Sequence, residues 1–242
     1  MVRSCKTVFF YQSNFLVDFY MCGRKTLTKD KKSIIEELNI ENWDETINYT
    51  PSYNIAPTQK SLVLVGEKDK RLVKSMNWGL IPSWSKNKNI GSKLINARSE
   101  TLHEKPSFKY LIKSNRCIVL SDGYYEWNTT NSKKQPYYFY DKQKNILPMA
   151  GLWSSFLSKD NETTLSYTII TKKADKEISH IHNRMPLIID FNRIDDWVNI
   201  DGLIEVNSNY ELVRKDLLSF HKVDSFVNSY RNNKKDCIQP IK

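Results

Sequence analysis

The sequence predicts one α+β domain built largely on antiparallel sheet, and three observations predict it. Short β-rich runs joined by polar turns fill the middle of the chain, and only a few segments have helical periodicity. No Pro-, Gly- or Ser-rich stretch divides the 242 residues into two hydrophobic halves, so one sizeable core is expected.

In chain order, residues 1–20 stand apart. Val8-Phe9-Phe10 and Phe15-Leu16-Val17 are apolar, but Gln12, Ser13, Asn14 and Asp18 break the continuous run that a secretory signal needs. Thr28, read as an N-cap, opens a segment to Asn39 that places Ile34, Ile35 and Leu38 on one helical face. β-Branched and aromatic runs then predict strands over 61–65, 71–78, 116–120, 123–127, 136–140, 149–156 and 165–171. Ser208-Asn209-Tyr210-Glu211 is a capping-box pattern before a helix carrying Leu212, Leu217 and Leu218, and 221–227 reads as a closing strand.

Thirty-seven Lys and Arg against 27 Asp and Glu give a net charge of +10, which favours a polyanionic partner, nucleic acid ahead of an anionic membrane surface. Cys5, Cys22, Cys117 and Cys237 form no C-x-x-C pair and no dense framework, which points to a reducing compartment and away from structural zinc. No apolar run approaches the length of a membrane span.

Six strings depart from what a core or a solvated face requires: Met21-Cys22-Gly23-Arg24, residues 53–58 (YNIAPT), 78–84 (WGLIPSW), 96–101 (NARSET), 123–127 (GYYEW) and 182–186 (HNRMP). Each alone is an ordinary turn sequence, and their order along one chain is what carries information. Together with 223–228 (VDSFVN) they resemble the SRAP family, the SOS response-associated peptidases or abasic site processing proteins, from Met21 almost to the C-terminus. The resemblance implies the SRAP fold, a barrel-like antiparallel core with a few peripheral helices, over residues 21–242. It leaves 1–20 as a leader or a misassigned start, and Arg3 and Lys6 with no acid before Asp18 keep a transit peptide as an alternative.

The chemistry of Cys22 can be stated without the family. A ring-opened abasic site exposes an aldehyde; an amine attacks it to give an imine, and a cysteine with a free α-amine then adds its thiol to the same carbon, closing a thiazolidine. An internal cysteine offers only the thiol, whereas an α-amine of pKa about 7.7–8.0 is partly unprotonated near neutrality. Taken alone, a single cysteine reads as a small buried hydrophobe. Glu126, among Tyr124, Tyr125 and Trp127, is either solvated or held in apolar surroundings that raise its pKa and suit it to proton transfer. The resemblance implies the second, and makes His182 a general acid or base, with His180 a surface residue.

Asn96 suits orientation of a sugar hydroxyl and Arg98 a two-pronged phosphate grip, the competing reading being a turn in which Arg98 pairs with Glu100. Arg24 and Arg184 are expected to join Arg98 at phosphates. Trp78 and Trp84 are read as core or as stacking platforms for bases, Trp84 being the less buried. Asn54 and Pro57 shape the loop beside Cys22. The resulting expectation is a catalytic set of Cys22, Asn96, Glu126 and His182 and a DNA-binding set of Arg24, Trp78, Trp84, Arg98 and Arg184, with no metal or cofactor. The partner is abasic single-stranded DNA, replication machinery is a candidate partner, and the chain acts as an intracellular monomer. An abasic-site lyase, a cysteine peptidase that releases its own leader, and a non-catalytic single-strand-binding module are the competing functions.

Overall fold

The computed structural model describes residues 22–68, 70–129, 134–199 and 218–241. The strands are β1 (Lys25–Leu27), β2 (Asn42–Trp43), β3 (Ser52–Ile55), β4 (Lys60–Glu67), β5 (Lys70–Trp78), β6 (Asn96–Arg98) and β7 (Arg116–Val119). They continue as β8 (Gly123–Asn128), β9 (Gln135–Asp141), β10 (Met149–Leu157), β11 (Thr163–Lys173), β12 (Arg184–Pro186) and β13 (Leu218–Lys222). Among the described residues, short α-helices accompany them: α1 (Lys31–Leu38), α2 (Leu111–Ser114) and α3 (Ile194–Asn199).

One sheet runs β13-β9-β8-β1-β3 and the other β12-β11-β10-β7-β4-β5-β2. In the second, β11 also pairs with β5, Ser166 opposite Asn77 and Tyr167 opposite Trp78, so β11, β10, β7, β4 and β5 close into a five-stranded barrel. All neighbouring pairs are antiparallel except β2–β5, β5–β11 and β6–β11. Closure removes the free edges of these strands, and both faces of the barrel wall are covered: Val63 and Leu64, and Ile118 and Val119, neighbours on alternate faces, have no exposed surface, as do Val73, Leu152 and Ile169. The α+β, largely antiparallel, barrel-like domain expected from the sequence is the one observed.

All seven central strands form, mostly a residue or more longer than their sequence patterns. Three boundaries differ. Helix α1 is capped by Asp30, which accepts from the Ser33 N–H at 2.9 Å, because Thr28 instead donates its N–H and hydroxyl to Asp122. The closing strand is β13, and 225–228 form a 3₁₀ turn, since Asp224 Oδ1 captures the Phe226 N–H at 2.7 Å and withdraws it from any ladder. Leu218 is strand, and the capping box at 208–211 lies outside the described residues. Short strands β3, β6 and β12, too brief to show a period, hold parts of three of the six strings.

Candidate active site

Cys22 lies three residues before the start of β1 and is fully buried, with a left-handed backbone φ of 44°. β1 lies antiparallel to β8, Lys25 opposite Tyr124, which brings the chain before β1 alongside Glu126. The close passage of β9 requires Gly123 at the start of β8, where a Cβ would sit 2.3 Å from the Tyr138 hydroxyl oxygen. Strand alternation then sends Tyr124 and Glu126 to one face and Tyr125 and Trp127 to the other. Tyr124 packs in the main core and Tyr125 in a second cluster with Tyr138, Val223, Val227 and Cys237.

The Cys22 backbone N–H donates to Glu126 Oε1 at 2.8 Å. Burial raises the Glu126 carboxyl to about 8 even though that hydrogen bond favours the anion. His182 lies in the loop between β11 and β12, and Asn128 at the end of β8 donates to His180 O at 2.9 Å, tying the loop to the strand. Its Nδ1 stands 3.9 Å from Glu126 Oε2, beyond hydrogen-bond reach, and 3.2 Å from the Arg184 N–H. Burial pushes His182 below the ordinary imidazole range. Glu126 and His182 are therefore both neutral near pH 7, an acid and a base side by side in a dry site.

Burial first, and the Glu126 charge second, push the Cys22 thiol well above its ordinary value, while Lys25 works the other way. Lys25 is itself fully buried, donates to Leu120 O at 2.9 Å, and is lowered by burial to about 7. Neither Lys25 nor Tyr124 was singled out as a site residue from the sequence. The period-two alternation of 123–127, which puts Tyr124 on the Glu126 face, was the available signal.

Asn96 and Arg98 lie on β6 with Ala97 between them turned into the core, so both face away from it. β6 follows β5 along β11, with Thr171 opposite Arg98. Arg98 is exposed, and Glu100 pairs with Arg184 rather than with Arg98. Arg184 grips Glu100 at 2.5 and 2.9 Å and Thr171 O at 2.6 Å, holding Glu100 down at about 2, so a phosphate reaching this guanidinium competes with Glu100. Arg24 is similarly engaged. It donates to Asn54 Oδ1 at 2.8 Å, Val227 O at 2.9 Å and Asn228 O at 3.1 Å, and lies over the Trp127 ring. Asn54 Nδ2 reaches Val227 O, Ser229 O and Asn232 O, so Arg24 and Asn54 clasp the C-terminal turns to β1 and β3.

The two tryptophans separate. Trp84 is 60% exposed, whereas Trp78 is 0% exposed, stacked on Tyr167 with its Nε1 donating to Ile95 O at 2.9 Å. Trp78 is thus removed from the DNA-binding set, because a ring enclosed by the barrel wall has no face to offer a base. Among the described residues no three His, Cys, Asp or Glu converge as a metal site, and no helix is long and apolar enough to cross a membrane.

Residues 21–230 match the family described as SOS response associated peptidase (SRAP). The abasic site processing protein YoqW of Bacillus subtilis is 37% identical over 225 residues, covering 90% of this chain and 99% of the relative. The abasic site processing protein HMCES of Gallus gallus is 34% identical over 232 residues, covering 82% of this chain and 69% of the relative. A crystal structure of a protein from Bacteroides thetaiotaomicron shares the fold with a TM-score of 0.75 at 24% identity, covering 91% of this chain and all of that one.

Proposed function

Because the chain belongs to the SOS response associated peptidase family, we propose that it processes abasic sites in single-stranded DNA by forming a thiazolidine through Cys22 once that residue carries a free α-amine. The observation that supports this most is the 2.8 Å contact between the Cys22 nitrogen and Glu126 Oε1, which places a proton-transfer group against the atom that becomes the nucleophile. In this reading the active form lacks residues 1–21, through a start at Met21 with removal of that methionine or through release of the leader.

The steps balance without redox chemistry. The unprotonated fraction of the Cys22 amine attacks C1′ of the ring-opened sugar, forming N–C1′ while the carbonyl π pair moves to oxygen. Neutral Glu126 gives its proton to that oxygen and, now a carboxylate, takes one from the adduct nitrogen, and the carbinolamine loses water to give an imine. The thiol then adds across C=N, sulfur to C1′ and its proton to nitrogen. His182, neutral and beside Glu126, relays protons between the steps. Asn96 and exposed Arg98 hold sugar and phosphate, and exposed Trp84 stacks on a flanking base.

The raised Cys22 thiol favours a second outcome, a lyase in which ring closure is slow and the imine lasts long enough to expel the 3′ phosphate. One experiment separates the two. A chain begun at Met21 with the methionine removed is expected to give an adduct with abasic single strands that survives denaturing electrophoresis, and Cys22→Ser is expected to give strand nicking in its place. A chain with residues 1–21 retained has the thiol without the amine and is expected to bind without linking. Equal linkage by the two chains would overturn the aminothiol mechanism, and nicking by the wild-type shortened chain would favour the lyase.

A further inference from the structure

Tyr124 presents an anomaly at the site. The residue has no exposed surface, and among the described residues its hydroxyl has no hydrogen-bond partner. A buried hydroxyl without a partner bears the full cost of its desolvation, and native structures tolerate few. The ring is well placed: it stacks on Phe139 with centroids 4.7 Å apart and planes 7° from parallel, so packing alone would be served equally well by phenylalanine.

Tyr124 lies on the strand face that carries the chemistry. Tyr124 shares the β8 face with Glu126, lies opposite Lys25 on β1, and belongs to the same core cluster as Cys22. Burial is the main force opposing its ionisation, followed by the charges of Cys22, Glu126 and Asp175 in that order, so it stays a neutral O–H.

We propose that Tyr124 is a further catalytic residue, whose hydroxyl donates a hydrogen bond to the C1′ oxygen of the ring-opened abasic sugar as the Cys22 amine adds. The inference rests on the thiazolidine reading. In that step the carbonyl oxygen gains negative charge, and a donor fixed in a water-poor pocket before the charge appears stabilises the transition state more than the ground state. Tyr124 keeps its proton throughout: Glu126 supplies the proton that converts the alkoxide to the carbinolamine hydroxyl, and the oxygen leaves as water. Tyr124 and Glu126 thus divide the work, one stabilising charge and the other moving protons. The missing partner in the free protein is then the substrate oxygen itself.

Tyr124→Phe removes the hydroxyl and keeps the stacked ring. In the chain beginning at Cys22, single-turnover linkage at saturating abasic DNA is expected to slow on the order of a hundredfold. The melting temperature should stay the same or rise by a few degrees, since an unpartnered polar atom has been replaced by an apolar one. Binding to a strand carrying a tetrahydrofuran abasic analogue, which has no C1′ oxygen, should be unchanged. Unchanged linkage would overturn the proposal, as would a clear fall in melting temperature accompanying slower linkage, because the hydroxyl would then be a scaffold bond. Weaker tetrahydrofuran binding would also overturn it. Failure of the wild-type shortened chain to link at all would instead defeat the thiazolidine reading on which the assignment stands.

Discussion

The two faces of β8 carry similar residues and behave differently. On the face turned to the C-terminal clasp, the Tyr125 hydroxyl donates to Tyr53 O at 2.7 Å and Trp127 Nε1 donates to Asn228 Oδ1 at 2.7 Å. On the face turned to Cys22, the Tyr124 hydroxyl has no partner among the described residues, and Glu126 is buried where its anion is disfavoured. One face satisfies every polar atom it encloses, as a scaffold should; the other leaves polar groups under-satisfied, as a site awaiting a ligand does. The same strand therefore separates stability from chemistry by alternation alone, and substitutions on its two faces should have opposite signatures.

The largest expected effect is at Glu126. Glu126→Gln should slow linkage on the order of a hundredfold while leaving binding to undamaged strands unchanged, measured by single-turnover electrophoresis and by equilibrium binding. Equal losses in both would place Glu126 with the scaffold and erase the contrast. The variant should also change how stability responds to pH. With the folded carboxyl at about 8, above its ordinary 4.5, the native state holds this proton more tightly than the unfolded state, so its contribution is full below 4.5 and is lost as pH rises through 8. Lys25, lowered from 10.5 to about 7, has the opposite sign: its contribution is present above 10.5 and lost as pH falls through 7. Burial also lowers His182, whose contribution rises with pH up to 6.5 in both chains, so relative to the Gln variant the urea midpoints of the wild-type chain should fall between pH 5 and 7. The rise at higher pH should remain in the Gln variant; parallel profiles would contradict the assignment.

On the clasp face the expected losses are in stability alone. Asn54→Ala removes a side chain that joins three carbonyls and the Arg24 guanidinium, and should cost about 2 kcal/mol in urea unfolding. Tyr125→Phe should cost about 1 kcal/mol for the single bond to Tyr53 O. Linkage rates per folded molecule should not move in either case. A slowed Tyr125→Phe would mean that the clasp face also feeds the chemistry.

Runs of β-branched and aromatic residues between polar turns made the central strands legible, and β4, β5 and β7 to β11 were all visible this way. The barrel closure was not, since the β5–β11 pairing involves two residue pairs whose sequence gives no sign of parallel contact. Cys22, Glu126 and His182 were readable from short strings, and the structure brings these three together. The partners of Arg24 and Arg184 were unreadable for a physical reason. Arg24 meets carbonyls more than 200 positions away and Arg184 meets Glu100 across 84, and no local pattern records a hydrogen bond over such separations. The Tyr124 hydroxyl was hidden differently, because what distinguishes it is a missing partner, which only coordinates can reveal.

The smallest expected effect concerns the surface, where Trp84 and Trp78 repeat the contrast between an open and a satisfied side chain. Trp84 is 60% exposed, and a base that stacks on it gains contact without displacing any part of the fold. Trp84→Ala should therefore weaken non-covalent binding of single strands about fivefold, near the lower end of what one stacked base contributes, with the melting temperature unchanged. Trp78 fills the barrel wall against Tyr167 and holds Ile95 O, so Trp78→Phe should lower stability through lost volume and a freed carbonyl while leaving the affinity of the folded protein as it was. Fluorescence anisotropy with a labelled single strand, paired with thermal unfolding of each variant, reads both quantities. If Trp84→Ala binds as tightly as wild type, the exposed ring is not a stacking platform. Phosphate contacts through Arg98 and the excess of 10 positive charges would then have to carry the strand, and the affinity would show a correspondingly steep dependence on salt.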